Sequence, residues 1–276
     1  MAETQLTIAT PFAGYESPYL EMWTEAYALM VEGTGATGLW LDNSSMEDVQ
    51  FTRTLRRYAK KMPIKVKVLP EPLRVGNVQT SAGKNIQVCV LWQRIAYEVR
   101  DPDAWLLCVE SDVLVPAGAA HRLRERMEAH PALGAVSGAI PAPLGDGDIC
   151  MQAWRINMNS PGPQSRYAPP AWGGGGNGFS FDWCAPDRTG VELVDATGFG
   201  CLMVQVRNLY ETPLQAMMFP PLGYDQEWGL ASWAAGRPVA IDWSVRCGHL
   251  RKGKGGEYGD IRAQLPDEDL REARVL

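Results

Sequence analysis

A chain of 276 residues is long enough to bury a substantial core, as one large domain or two small ones. Its 46% hydrophobic and 21% charged residues are typical of an ordinary soluble globular protein. The net charge of −6 argues against nucleic-acid binding over the whole surface, although it leaves room for a local basic face.

Neither a membrane span nor a cysteine-based framework is expected. No apolar run approaches the roughly 20 residues of a transmembrane helix, and the N-terminus lacks a signal-peptide pattern. We therefore expect a cytoplasmic protein, or one bound to a membrane only at its surface. The six cysteines contain no CxxC pair, and Cys89, Cys108 and Cys201 sit in apolar segments, as reduced core thiols do.

Strands and helices alternate through the first 140 residues. The predicted strands are 5–11, 38–42, 64–69, 105–110 and 133–140. The predicted helices are 17–33, 49–62, 84–100 and 116–130. This order predicts an α/β fold with a mainly parallel central sheet, in which ligands bind at the carboxyl ends of the strands.

The second of these helices is predicted to be amphipathic. Its inward face consists of Val49, Leu55, Tyr58, Ala59 and Met62. Its outward face consists of Arg53, Arg56, Arg57, Lys60 and Lys61. Such a basic face is usually only solvated, but it also allows contact with a polyanion.

The second half of the chain is less regular. Residues 141–190 are rich in glycine and proline and predict a long irregular loop on the acceptor side, with a hinge or disordered insert as the alternative. Regular structure is expected again over 191–205, in a helix 225–235 that Gly236 ends, and in a strand 238–245. Residues 251–276 are expected to form a flexible basic tail. We expect one domain over 1–276, with a nucleotide-binding half at 1–140 and a sugar and acceptor half at 191–250.

Two carboxylates end the fourth strand, in the sequence Glu110-Ser111-Asp112. Side chains at i and i+2 of a strand share a face, so both acids can approach one ion. Mg²⁺ and Mn²⁺ prefer such oxygens and keep positions open for the phosphates of a substrate. The alternative is a polar strand end that caps the following helix.

These features, in this order, resemble the GT-A-fold nucleotide-sugar glycosyltransferases, most closely the family 2-like members. In that family the fourth strand ends in an Asp-x-Asp motif that holds a metal and the donor diphosphate. Glu110 stands where the family more often has aspartate. The resemblance implies Asp112 as a metal ligand, Glu110 as a ligand or an outer neighbour of the metal, and Ser111 beside the donor.

Other segments extend the resemblance over residues 5–140 and 191–250. Together with Ser111, the donor-binding residues that it implies are Pro11, Phe12, Asp42, Ser44, Lys84, Asn85, Gly198 and Gly200. Asp42 matches an acid that contacts the base or ribose, although an Asx-turn that caps a helix explains it equally well. Gly198 and Gly200 match a stretch under the donor sugar, and a tight turn is their alternative.

The remaining matches concern catalysis. Asp225 matches the general base of inverting members, with Tyr224 in place of the usual preceding glutamate, and Glu227 is expected to contact the acceptor. Simple capping of a helix by Asp225 is the alternative. His249 matches a histidine that completes the metal shell in several such enzymes. The cations that follow it, which would neutralise the diphosphate, are Arg251, Lys252 and Lys254.

The resemblance implies a glycosyltransferase that uses Mn²⁺ or Mg²⁺ and a nucleoside-diphosphate sugar of the UDP-sugar class to modify a hydroxyl acceptor. The acceptor stays open among a glycan, a small molecule and a hydroxylated base of DNA. A sugar nucleotidyltransferase is disfavoured because PFAGYESPYL, after the first strand, lacks the Lys or Arg of a basic phosphate loop. A non-catalytic sugar-binding module is the remaining alternative.

Overall fold

The computed structural model describes residues 5–13, 18–44, 48–71, 81–143, 149–157, 180–184, 188–215, 223–252 and 258–260. The helices are α1 (Leu20–Val31), α2 (Val49–Ala59), α3 (Ser81–Val99), α4 (Ala119–Ala129), α5 (Val206–Glu211) and α6 (Tyr224–Ala234). The strands of the first half are β1 (Leu6–Phe12), β2 (Thr37–Asp42), β3 (Lys65–Pro70), β4 (Trp105–Val109), β5 (Val113–Leu114) and β6 (Ala135–Ala139). Those of the second half are β7 (Pro141–Pro143), β8 (Ile149–Asn157), β9 (Ser180–Cys184), β10 (Val191–Val194), β11 (Ala196–Thr197), β12 (Cys201–Gln205), β13 (Val239–Arg246), β14 (Gly248–Lys252) and β15 (Tyr258–Asp260).

The predicted α/β fold with a mainly parallel central sheet is confirmed. Eight strands form this sheet in the order β10-β13-β6-β12-β4-β1-β2-β3. The pairs β1–β2, β1–β4, β2–β3 and β13–β6 are parallel, whereas β12 is antiparallel to both β4 and β6. The carboxyl ends of β1, β2 and β4 therefore lie at one edge of the sheet, together with the beginning of β12.

Two layers of helices cover the central sheet. One hydrophobic cluster joins it to α1, α2 and α4, and the other joins it to α3, α5 and α6. The amphipathic interpretation of α2 is correct for Leu55 and Ala59, which are buried, but wrong for Val49, which is 52% exposed. Phe51 is buried instead, because it lies one turn before Leu55 and two turns before Ala59 and so belongs to the same face of the helix.

Two small sheets flank the central one, and both revise the predictions. Strands β7 and β8, with β9 and β11, form an antiparallel sheet inside the region expected to be an irregular loop. Strand β14 pairs with β5 and β15, so Arg251 lies in a strand and not in a flexible tail. The alternation of apolar and polar residues is too weak in these segments to predict strands, because Pro and Gly interrupt it. The hydrogen bonds that form the strands come from partners far away in the sequence.

All six cysteines are buried free thiols, as expected of core residues. Of the helices that the structure describes, none is long and apolar enough to cross a membrane.

Candidate active site

The turn from Glu110 to Asp112 is fixed by backbone hydrogen bonds at the carboxyl end of β4. The Val113 amide donates to the Glu110 carbonyl at 3.1 Å, which closes the turn. The Leu250 amide donates to the Asp112 carbonyl at 2.7 Å, and His249 lies opposite Val113 in the β14–β5 pair. A segment distant in sequence is thereby placed beside the acidic turn.

His249 is fully buried and is oriented by β7. Its Nδ1 lies 2.7 Å from the Pro141 carbonyl oxygen, which can only accept a hydrogen bond, so Nδ1 carries the proton. Nε2 then faces the Asp112 carboxylate, whose Oδ2 is 3.4 Å away. With a proton, Nε2 donates a hydrogen bond to that oxygen, and without one its lone pair can bind a cation in the proton's place. A histidine held in this tautomer by a backbone carbonyl is the usual arrangement of an imidazole metal ligand.

Asp112 is kept ionised by its neighbours. Burial raises its pKa, but the hydrogen bond and charge of His249 and the charge of Arg251 outweigh this effect and hold the pKa below its usual range. The Arg251 guanidinium Nη1 lies 3.8 Å from Asp112 Oδ2. The side chain of Asp112 is 27% exposed, so a ligand can reach it.

Glu110 is in a different situation. Its Oε1 accepts a 2.9 Å hydrogen bond from the Tyr224 hydroxyl, at the start of α6. Burial, and then the negative charge of Asp112, raise the pKa of Glu110 to about 7, and the charge of Asp225 adds to the rise. Glu110, Asp112 and Asp225 are therefore close enough to repel one another, and Tyr224 connects the acidic turn to the helix that carries Asp225.

Tyr224 stands where the family usually has a glutamate, and the sequence alone assigns it no role. The structure shows what this tyrosine does in the fold. The residue is buried, and its ring lies 5.5 Å from that of Phe199, which in turn contacts Trp228 at 5.3 Å. The aromatic cluster thus positions a hydroxyl for Glu110. A buried tyrosine beside a catalytic-looking aspartate was the signal that could have revealed it.

We expect Tyr224→Phe to leave the fold intact and to lower turnover about tenfold, because Glu110 loses the hydrogen bond that sets its carboxylate. A lost hydrogen bond to a charged group is worth about 1.5–3 kcal/mol, partly recovered by water. Steady-state kinetics with the melting temperature as a fold check would measure this. Tyr210→Phe is the matched control, since that hydroxyl donates to the Ala96 carbonyl away from the site. Equal kinetic losses in both variants would contradict the assignment.

Asp225 is half-buried in the first turn of α6, and it does not cap the helix. Gln226 does so, since its Oε1 accepts a 3.0 Å hydrogen bond from the Gly223 amide. Asp225 Oδ1 accepts a hydrogen bond from the Gln226 amide at 2.9 Å, and a Cβ on Gly223 would lie 2.5 Å from that same oxygen. Glycine at 223 therefore makes room for the carboxylate. Burial raises the pKa of Asp225 to about 6.

Glu227 is only 5% exposed. Burial, and then the charge of Glu227, raise the pKa of Cys89 on α3 to about 11, so the carboxylate faces the space between α6 and α3. A contact between Glu227 and an acceptor stays a prediction, and this buried position does not favour it.

The two glycines before β12 are needed for close packing. A Cβ on Gly200 would lie 2.8 Å from Val113 and 2.9 Å from Ile140, and one on Gly198 would lie 2.3 Å from Gln152 Oε1. A turn is present at 199–200, but neither glycine has a positive φ, so the turn itself does not require glycine and the close contacts do. A role under the donor sugar stays a prediction.

Some of the residues expected to contact the nucleotide already form hydrogen bonds or packing contacts within the fold. Asp42 Oδ1 accepts the Ser44 amide at 3.0 Å and Oδ2 accepts the Thr52 hydroxyl at 2.5 Å, so the Asx-turn alternative is present. The Phe12 ring is buried against Trp23 and Trp40, so the donor contact predicted for this residue, which stays a prediction, would be made by its backbone.

The other predicted donor residues are less defined. Pro11 is buried in β1, Ser111 is buried in the acidic turn, and Asn85 is half-buried near the start of α3. The side chains of Lys84 and Lys252, and all of Lys254, lie outside the described residues.

Asp112 and His249 fit a divalent cation by their chemistry, since they present one carboxylate oxygen and one imidazole nitrogen at neighbouring positions. Among the residues that the structure describes, no three His, Cys, Asp or Glu side chains gather into a complete metal site. One carboxylate oxygen of Glu110 is occupied by the Tyr224 hydroxyl, which suits a position beside the metal, and direct ligation by Glu110 stays a prediction.

Comparison with solved structures identifies the fold. The chain superimposes on GalNAc-T7, crystallised with UDP, GalNAc and Mn²⁺, with a TM-score of 0.59 at 14% identity, covering 93% of this chain and 45% of that one. It superimposes on S. aureus TarS residues 1–349 in complex with UDP-GlcNAc with a TM-score of 0.50 at 10% identity, covering 98% and 66%. No protein-family model matches the sequence, and no curated protein does so either.

The chain therefore has the GT-A fold of nucleotide-sugar glycosyltransferases, as predicted. It spans less than half the length of GalNAc-T7 and about two thirds of the TarS fragment. At these identities the similarity establishes the architecture, and the chemistry has to be argued from the residues of this chain.

Proposed function

We propose that this protein is a divalent-cation-dependent glycosyltransferase that moves a sugar from a nucleoside-diphosphate sugar, of the UDP-sugar class, to a hydroxyl acceptor. The observation that carries the proposal is the meeting of Asp112, His249 and Arg251 at the carboxyl edge of a GT-A sheet, with Asp225 close by. The two similar structures, which contain UDP with Mn²⁺ and UDP-GlcNAc, support this substrate class.

Asp112 and His249 would hold the cation, which supplies Lewis-acid stabilisation of the departing diphosphate. Arg251 adds a fixed positive charge at the same point. Because His249 is fully buried and Glu110 is half-buried, these charges act more strongly on the diphosphate than they would in solvent. Ordered strands β5 and β14 keep them in place before substrate arrives, which lowers the reorganisation cost.

The transfer itself breaks the bond between the anomeric carbon and the diphosphate oxygen and forms one to the acceptor oxygen. In an inverting reaction the acceptor proton passes to the Asp225 carboxylate, whose raised pKa makes it a better proton acceptor than an exposed aspartate. In a retaining reaction Asp225 instead orients the sugar. The anomeric configuration of the product, measured by NMR, distinguishes the two.

The direct test is hydrolysis of a panel of UDP-sugars by the purified protein with and without Mn²⁺. We expect slow release of UDP that requires the cation, since glycosyltransferases pass the sugar to water when no acceptor is present. A protein that neither turns over nor binds any nucleotide sugar would rule the proposal out. Binding without product would leave the sugar-binding module as the better description.

A further inference from the structure

A row of cations follows one face of α2. We call it the basic stripe and define it by Arg53, Arg56, Arg57, Lys60 and Lys61, all of them exposed. Their spacing of three and four residues places them on adjacent turns of one helix face. The stripe is about 12 Å long, since Arg53 and Lys61 are separated by eight steps of about 1.5 Å each, with Lys60 and Lys61 in the turn that directly follows α2.

The residues that the structure describes do not neutralise the basic stripe. Residues 49–67 contain seven Lys or Arg residues and no Asp or Glu. Within the described part of the chain, none of the five stripe cations forms an ion pair, although Lys67 on β3 pairs with Glu98 at 3.1 Å and Arg124 on α4 pairs with Glu128 at 2.8 Å. In a chain of net charge −6, this concentration of unpaired positive charge marks a surface for an anionic partner.

The surroundings of the basic stripe favour a phosphate backbone over a lipid surface. Phe51, Leu55 and Ala59 of α2 are buried in the core, and the one exposed valine, Val49, is too little apolar surface to enter a bilayer. Tyr58 lies beneath Arg57 and Lys61, each 5.6 Å from the ring centre, which directs both cations outward. Three of the five are arginines, whose planar guanidinium matches phosphate oxygens.

The position of α2 connects the basic stripe to the active site. Helix α2 follows β2, whose carboxyl end carries Asp42 at the edge of the sheet where β4 delivers the acidic turn. The helix then runs back toward the opposite edge, where β3 begins. A long polyanion on the stripe can therefore extend to the catalytic edge, whereas a small acceptor would have no use for a surface of this length.

We propose that the basic stripe binds the phosphate backbone of duplex DNA and, on the basis of the proposed glycosyltransferase function, that the acceptor hydroxyl is carried by a base of that DNA. Duplex DNA carries one phosphate charge per about 1.7 Å of axis when both strands are counted, so about seven phosphates lie along 12 Å of duplex, and those on the near side can face the stripe. Non-specific backbone contacts of this kind bind tightly at low salt and weakly at high salt.

The test is fluorescence anisotropy of a labelled 20-base-pair duplex at several KCl concentrations, with the wild type and with the triple variant R53Q/R56Q/K60Q. These three side chains are exposed and do not pack on Tyr58. We expect the variant to bind at least tenfold more weakly at 100 mM salt, with a log–log salt slope less steep by about 2.7. The control R94Q/R124Q/R207Q removes the same charge from cations that already pair with acids, and should bind like the wild type.

Each result is decisive. Absence of duplex binding by the wild type, equal losses in both triple variants, or binding to phosphatidylserine vesicles in preference to DNA would overturn the inference. Hydrolysis of UDP-sugars is measured in parallel and is expected to be unchanged in R53Q/R56Q/K60Q, because the stripe lies outside the donor site. If the protein binds DNA but neither binds nor turns over any nucleotide sugar, the basic stripe is a DNA-binding surface. The proposed glycosyltransferase function is then wrong, and so is the proposed acceptor on DNA.

Discussion

Replacing Asp225 with asparagine is expected to lower kcat about 10²–10⁴-fold while changing the KM for the donor little. A positioned general base contributes a factor of this size, and the asparagine amide occupies the same volume but cannot accept the proton. The fold should be retained, because helix capping is performed by Gln226 and because burial disfavours the charge that the variant removes. Acceptor-dependent transfer, assayed with a melting curve, measures both effects.

The pH dependence provides a second readout of the same residue. A base must be deprotonated, and the pKa of Asp225 is raised to about 6, so kcat/KM should fall as pH decreases through 6. The decrease from pH 7 to pH 5 is about tenfold for one such group. This acid limb should vanish in the residual activity of Asp225→Asn and persist in the surface control Asp103→Asn. An unaltered pH profile in Asp225→Asn would remove Asp225 from the role of base.

Asp112→Asn is expected to reduce kcat/KM about 10³-fold and to abolish the response to Mn²⁺. The variant loses the carboxylate that would bind the cation, whose stabilisation of the leaving diphosphate is worth several kcal/mol, and about 1.4 kcal/mol corresponds to a factor of ten. The His249 imidazole alone is a weaker site. Titration of activity with Mn²⁺ measures the loss.

A measurement without turnover makes this prediction independent of the acceptor. A ligand that binds only the folded state raises the melting temperature, so Mn²⁺ with UDP should stabilise the wild type and Asp103→Asn but not Asp112→Asn. The melting temperatures without ligand show whether the substitution itself disturbs the pair with His249. Equal stabilisation of all three proteins by Mn²⁺ and UDP would exclude Asp112 as the ligand.

Local patterns were sufficient for the first half of the chain. The alternation of apolar strands with helices reflects burial of both faces of a parallel sheet, a requirement that each segment expresses in its own composition. The acidic turn at 110–112 was therefore located correctly at a carboxyl edge. The antiparallel strands β7, β8 and β9, and later β14 and β15, escaped prediction because their residues are interrupted by Pro and Gly and their strand character depends on tertiary pairing.

The sequence by itself determined that this protein is an α/β chain with carboxylates at the end of its fourth strand and again before a late helix. Only the tertiary structure decided how they are used. Pairing of β14 with β5 brings His249 and Arg251 to Asp112, and the aromatic cluster turns Tyr224 toward Glu110. These assignments depend on side-chain direction across strand pairs remote in sequence, where a shift of one residue would point His249 to the other face.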